Sequence, residues 1–406
     1  MIIRAGFVLT MEGEPISDGG VVVSGNRIEK VARWDELAGS DFGEVIDLRN
    51  HVLLPGLINA HCHLDYTMLR GVIPPPRSFA EWIAAINEQK SGLTDDDYVD
   101  AIAAGFVEAQ RFGTTSIVNL ESFPSLIPRV PAQSMRTWWF AELIDVRNDV
   151  RVADVVRKLA AMVTEQPGPL ARIGLAPHAP YTASAKLYAE VAEISRREKL
   201  PCTTHLAESA EEMEMFWQGS GKLFDLLKAI GRPADNAGAR TPLGVMLDRR
   251  VLDDSWIVAH LNEITENDFQ RLEKAPRFQV VHCPRSHRYF RHSRFQLQSL
   301  SALGFNISLG TDSLASNENL SLFAEMRELQ RNEPTLSARQ TIEMVTVNPA
   351  RALNRANDLG KIQPGFLADI IAIPAPDGAY APNETVVAFE GDVPWSMIDG
   401  RILIRS

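Results

Sequence analysis

Cysteine is scarce in this chain of 406 residues: only Cys62, Cys202 and Cys283 occur. An odd number in so long a chain excludes a disulfide framework and leads to the expectation of a reduced, cytoplasmic protein. Long uncharged apolar runs are missing and mean hydropathy is −0.10, so no membrane-spanning helix is expected. The opening MIIRAGFVLTMEGEP has too short an apolar stretch, and no small-residue cleavage site, for a signal peptide. Positive charge is in deficit, with 41 Lys and Arg against 52 Asp and Glu and a net charge of −11. Such a surface repels phosphate backbones, which excludes a general nucleic-acid binder. No internal repeat, heptad pattern or low-complexity stretch is present. What is there is ordinary globular usage, 45% hydrophobic and 23% charged, in a chain long enough for one large barrel and a smaller module.

The first fifty residues read as short strands and hairpins: IIRAGFVLT, GGVVVSGNRIEKVA and GEVIDLRNHVLLPG. The texture returns at the C-terminus in GKIQPGFLADIIAI, ETVVAFE and PWSMIDGRILIRS, all read as strands. Between them, apolar β-branched runs alternate with amphipathic helical stretches such as DDDYVDAIAAGFVEAQRFG and SAKLYAEVAEISRREK, the pattern of a parallel α/β sheet. Eight runs stand out: LINAHCHLD, TTSIVNLE, RTWWFAELI, RIGLAPHAP, PCTTHLAES, WIVAHLNEI, FQVVHCPRS and NISLGTDS. Eight strands over about 300 residues suit a (β/α)8 barrel. Neither terminal segment can stand alone. The expected fold is therefore α/β, a TIM barrel over 57–356 inserted in a small discontinuous β-sandwich made of 1–56 and 357–406.

In a barrel of this kind reactive groups lie at the C-terminal ends of strands. His61, His63, His178, His205, His260 and His282, six of the nine histidines, fall there, as does Asp312. His61 and His63 are two apart and share a strand face. With His205 and Asp312 they supply three nitrogens and one oxygen, a set that suits one divalent metal with a position left open for water. Zinc is the expected ion, with iron and manganese compatible. Cys62, between the two histidines, is expected to face the other way and pack.

PGLINAHCHLD, APHAPYTAS, HLAES, VAHLNEIT, VVHCPRSH and LGTDSLASNENLSLFAEM together resemble the amidohydrolase superfamily. The likeness is greatest to its branch of cytosine deaminase, chlorohydrolases and the S-adenosylhomocysteine, methylthioadenosine and aminofutalosine deaminases. It spans nearly the whole chain. It implies His61, His63, His205 and Asp312 as metal ligands, Glu208 as the proton-shuttling acid, and His260 beside the reacting water. It implies His178 as a substrate-pocket residue and Trp82 as a loop residue near substrate. Binuclear relatives carry a lysine at the end of strand four; APHAP has none, so one metal is expected. The implied function is hydrolytic deamination of an adenine-type nucleoside or related heterocycle. A bound cation brings the pKa of water from 15.7 to about 7, and the resulting hydroxide attacks C6. Asp312 accepts the water proton, Glu208 carries protons to ring nitrogen and leaving ammonia, and His260 stabilises the developing charge. Alternatives are dechlorination or deamination of a triazine-, guanine- or cytosine-like ring, or a metal-free scaffold barrel.

Two departures from the resemblance concern the substrate. Glu142 stands on the third strand where S-adenosylhomocysteine deaminases carry an arginine, and is placed with the substrate-binding residues. The loop after strand seven carries Arg285, Arg288, Arg291 and Arg294, a basic cluster in an acidic protein. Arg285, nearest the strand end, is expected to bind an anionic group of the substrate. Expected partners are a small heterocyclic substrate and, in a homo-oligomer, further copies of the chain, with neither nucleic acid nor membrane.

Overall fold

The computed structural model describes residues 1–37, 39, 43–146, 149–165, 170–232, 238–375 and 381–405. All eight runs form strands of one parallel sheet: Leu57–His63, Thr114–Glu121, Arg136–Leu143, Ala171–Pro177, Cys202–Leu206, Trp256–His260, Gln279–His282 and Ile307–Leu309 follow one another in space as in sequence. The last run is broken. Ile307–Leu309 pairs with Gln279–His282, whereas the two residues Asp312–Ser313 pair with Leu57–His63, so one stretch of chain supplies both edges of the nine-stranded curl. Gly310 lies in the break, where a Cβ would come 2.6 Å from the His61 carbonyl oxygen. Only glycine allows that approach.

Helices pack on the convex side. Asp95–Arg111 begins with a capping box, Thr94 and Asp97 each serving the other's backbone N–H. It buries Ile102 and Phe106 against strand residues such as Ile117 and Trp139. Ser184 caps Ala185–Glu198 in the same way of an N-terminal hydroxyl, accepting from the Leu187 N–H. Among the described residues no helix is long and apolar enough to cross a membrane.

The two terminal segments meet in a second, seven-stranded sheet. Its order is Arg401–Arg405, Trp395–Ile398, Ile370–Pro374, Val45–Pro55, Ile2–Val8, Ile16–Ser24, Arg27–Arg33. C-terminal Ile370–Pro374 thus pairs directly with N-terminal Val45–Pro55. Ile3, Val21, Leu53, Ile370 and Met397 build its own apolar cluster. ETVVAFE, expected as a strand, lies instead in the helix Pro382–Ala388 and its exit. Pro382 presets the first helical turn. Val386 and Val387 are buried against the apolar core of the parallel sheet's helices, with half-buried Phe389 packed on it edge-on to Phe323 at 4.9 Å. Packing there overrides the β-preference of the valines.

Candidate active site

Strand parity decides which side chains enter the concave side. Ile58 and Ala60 belong to one buried cluster with Val118, Phe140, Ala176 and Ile257. By strict alternation His61 would then face out. A register shift between Asn59 and Cys62 changes the parity, and His61 and His63 turn inward while Cys62 joins the outer cluster, donating to the Val118 carbonyl at 3.3 Å. His260 is turned inward by other means. Its φ is 75°, in the left-handed region, as are those of Ala207 (51°) and Asp312 (55°). Three of the loops that carry site residues therefore hold backbone that L-residues rarely adopt, a form of strain that the surrounding packing must maintain.

The four expected ligands converge. His63 Nε2 lies 3.2 Å from His205 Nε2, and Asp312 Oδ1 lies 3.8 Å from His61 Nε2 and 3.9 Å from His63 Nε2. All four side chains are buried. Ligand atoms around a tetrahedral ion with bonds of 2.0–2.1 Å are separated by about 3.3 Å. His205 Nδ1 donates to the His178 carbonyl at 2.8 Å, which leaves the lone pair on Nε2. Two imidazole nitrogens at this separation need a shared cation or proton. Both ring nitrogens of fully buried His61 lack a hydrogen-bond partner. Asp312 is oriented by Ser286 Oγ at 2.6 Å and by the Ser313 N–H at 2.8 Å. The donor chemistry suits a divalent metal: His61, His63 and Asp312 form one group able to hold an ion, and His61, His205 and His260 another.

Glu208 and His260 stand beside this cluster, with Glu208 Oε1 3.8 Å from His260 Nε2. Burial, then the carboxylates of Asp312 and Glu212, push the Glu208 carboxyl well above the usual range. Its backbone is fixed by a residue that the sequence did not single out. Glu212 accepts from the Glu208 N–H at 2.7 Å and the Ala207 N–H at 3.2 Å, while Asn262 Nδ2 donates to the Glu208 carbonyl at 2.9 Å. Only the spacing of Glu212, four after Glu208 at the start of the helix Ala210–Gln218, could have hinted at this.

A cavity of about 850 Å³ opens above the cluster. Phe79, Trp82 and Ile83 with Leu226, Leu227 and Ile230 give it an apolar wall; Lys90, Glu142 and His178 belong to a polar one. Trp82 lies 6.1 Å from Phe79 in a stacked arrangement, on the helix Phe79–Ser91. His178 Nδ1 meets Thr182 Oγ1 at 2.6 Å, and burial lowers its pKa to about 4, so the ring is neutral. Glu142 accepts from Ser122 Oγ at 2.8 Å; Ser122 meets the Tyr66 hydroxyl at 2.9 Å, and Lys90 donates to Tyr66 at 2.5 Å. Burial acts to raise the Glu142 pKa, but the charged and hydrogen-bonding groups around it, the Lys90 ammonium and the Ser122 hydroxyl among them, outweigh burial and lower it.

Arg285 is not brought into this cavity. It is buried, donating to Glu318 Oε2 at 2.7 Å and Asn319 Oδ1 at 2.8 Å, and faces a second cavity instead. Arg294, the last of the basic cluster, pairs with Glu333 at 2.8 Å. These acids come some thirty to forty residues later in the chain, which is why the cluster looked unpaired as sequence.

Imidazoles and a carboxylate converging at strand ends, with a buried acid beside them, suit a hydrolase. Residues 52–403 match the model of the amidohydrolase family, and the chain belongs to that family. It is 29% identical over 422 residues to the 5-methylthioadenosine/S-adenosylhomocysteine deaminase of Pyrococcus furiosus, covering 100% of this chain and 95% of that protein. It is 27% identical to the 5'-deoxyadenosine deaminase of Methanocaldococcus jannaschii, over 95% of this chain and 90% of that one. Among solved structures, the fold is similar to that of Helicobacter pylori aminofutalosine deaminase in complex with methylthio-coformycin, with a TM-score of 0.87 at 19% identity over 99% and 100% of the two chains. It is also similar to a zinc-bound adenosine deaminase from Xanthomonas campestris, with a TM-score of 0.84 at 22% identity over 100% and 92%.

Proposed function

We propose that this chain is a mononuclear metal-dependent aminohydrolase that converts the 6-amino group of an adenine-type nucleoside to a carbonyl, releasing ammonia. The architecture we assign is a (β/α)8 barrel over 57–356, set into a discontinuous β-sandwich of 1–56 and 357–406. The observation that carries the reading is the buried Glu208 carboxyl 3.8 Å from His260, both lining, with His63, His205 and Asp312, one cavity that has an aromatic wall. The names of the similar deaminases support the adenine-type substrate.

His61, His63, His205 and Asp312 would hold the ion, taken as zinc. When bound, such an ion lowers the pKa of a coordinated water to about 7 and so supplies the nucleophile at neutral pH. The chain does the rest. Glu208 hands its proton to the ring nitrogen next to C6, which draws electron density away from the carbon under attack. Asp312 takes one proton from the attacking water; Glu208, now ionised, takes the proton of the new C6 hydroxyl and relays it to the departing amine, and the proton held on Asp312 restores the acid form of Glu208. His260 donates a hydrogen bond to the oxygen on which charge develops. Phe79 and Trp82 offer stacking area for the purine, and ionised Glu142 offers an acceptor for ribose hydroxyls. Arg285 has no part in this assignment.

The test is ammonia release and loss of adenine absorbance with adenosine, 5'-deoxyadenosine, methylthioadenosine, S-adenosylhomocysteine, guanine, cytosine and a chlorotriazine. Turnover confined to the adenine nucleosides is expected. Turnover of the triazine or the free bases alone would replace this reading.

A further inference from the structure

The arginine cluster that the catalytic cavity leaves unused builds a site of its own. A second cavity of about 530 Å³ lies on the other side of the Asp312 loop and shares no lining residue with the first. Arg70, Arg285, Arg288 and Arg291 line it together with Glu318, while Glu108, Glu325 and Glu328, outside the lining, face three of these arginines and leave Arg291 as the one without a carboxylate among the described residues. Three of them are braced from the side: Arg70 by Glu108, Arg285 by Asn319 and Glu318, and Arg288 by Glu328 at 2.7 Å. Such bracing fixes planar donors in place before any ligand arrives, which lowers the ordering cost of binding. Arg291 is different. It is exposed, it stands in the left-handed region (φ 58°) at the end of the helix Pro284–Phe290, and among the described residues no carboxylate pairs with it. Ile73, Pro74 and Tyr289 close one side of the cavity, with the Tyr289 hydroxyl donating to the Ile73 carbonyl at 2.8 Å.

We propose that this second cavity is a binding site for a phosphate dianion, free or as a small phosphate monoester, held by Arg291 and Arg288 with Arg70 and Arg285 behind them. Guanidinium forks match phosphate oxygens through paired, charge-assisted hydrogen bonds. A chain with a net charge of −11 has no general attraction for anions, so four arginines around one concavity are a local device rather than part of a basic surface. The site lies against the catalytic centre: Ser316 lines it, and Ser316 and Ser286 share a hydrogen bond of 2.9 Å while Ser286 donates to Asp312. It does not depend on which substrate the first cavity takes.

The experiment is calorimetric titration of the metal-loaded protein with inorganic phosphate and, separately, glycerol 3-phosphate, against sodium chloride at equal ionic strength. Thermal unfolding in the same solutions is the second readout. Saturable binding of one or both phosphates is expected, and the two arms tell the free ion from the ester. The double variant Arg288→Ala/Arg291→Ala, both exposed side chains, is expected to weaken it by about tenfold or more, the factor for losing charge-assisted hydrogen bonds. Arg291→Glu serves as the second variant should the double one not fold. No saturable binding overturns the proposal. So does equal binding by the variants, which would put the anion on the catalytic metal or elsewhere.

Discussion

His205 is held at both ends of its ring, by the His178 carbonyl on Nδ1 and by the converging donors on Nε2, and its own N–H donates to that same carbonyl at 2.8 Å. One backbone oxygen thus sets both the height and the tautomer of His205, a job the sequence displays only as a histidine at a strand end. The meeting of His61, His63, His205 and Asp312 beside Glu208 was legible because HxH, HLAES and GTDS put donors where strands finish. Ser122 and Tyr66 were not, since their roles exist only once distant strands lie side by side, and Glu212 showed only as a carboxylate four residues after Glu208. For Glu208 the consequence is quantitative. Glu208→Gln keeps the shape but cannot exchange a proton, and kcat should fall by about 10²–10⁴-fold. Metal content and thermal midpoint should stay unchanged; metal analysis and steady-state kinetics on one preparation check both. A variant that turned over normally would move the proton role to another group.

Among the elements, the broken run 307–313 matters most to the site. Ile307–Leu309 and Asp312–Ser313 serve opposite edges of the curl, and Gly310 is the point where the chain passes under His61. Gly310→Ala would force a Cβ to within 2.6 Å of the His61 oxygen and 2.8 Å of its Cβ. Relief requires moving strands that hold ligands, so a loss of about 1–3 kcal/mol is expected, the usual cost of overpacking. Reduced metal content should accompany it. Urea midpoints together with metal analysis would show whether stability and metal occupancy fall together, and an unaffected variant would mean the break has slack. The eight runs were legible from apolar patches of strand length between helical periodicities. The parity change in Leu57–His63 was not, because a bulge leaves no mark on residue types. Nor was the helix Pro382–Ala388, whose valines find their partners on helices far away in sequence.

For the molecule as a whole, the two sheets are joined through buried charge. Arg136 begins a strand of the parallel sheet and donates to Asp369 Oδ2 at 2.5 Å and Asp399 Oδ1 at 2.6 Å, both on the C-terminal part of the mixed sheet. Asp369 also accepts from the Asp399 N–H at 2.8 Å. Removing the arginine would leave a carboxylate uncompensated in the interior, and Arg136→Ala should cost about 3–5 kcal/mol. Chemical denaturation measures it, and a loss below about 1 kcal/mol would mean that water reaches the pair, as at an exposed ion pair. The two-piece mixed sheet has one more effect, felt before the protein is finished. Val45–Pro55 is made early, yet its neighbour Ile370–Pro374 leaves the ribosome only after most of the chain. At 5–20 residues per second the open strand waits roughly a quarter of a minute to a minute during translation. A bare β-edge in a crowded cell invites pairing with the wrong chain. Asp47, Arg49 and His51 along that strand put charge and polarity where nascent copies on one polysome would otherwise stick together.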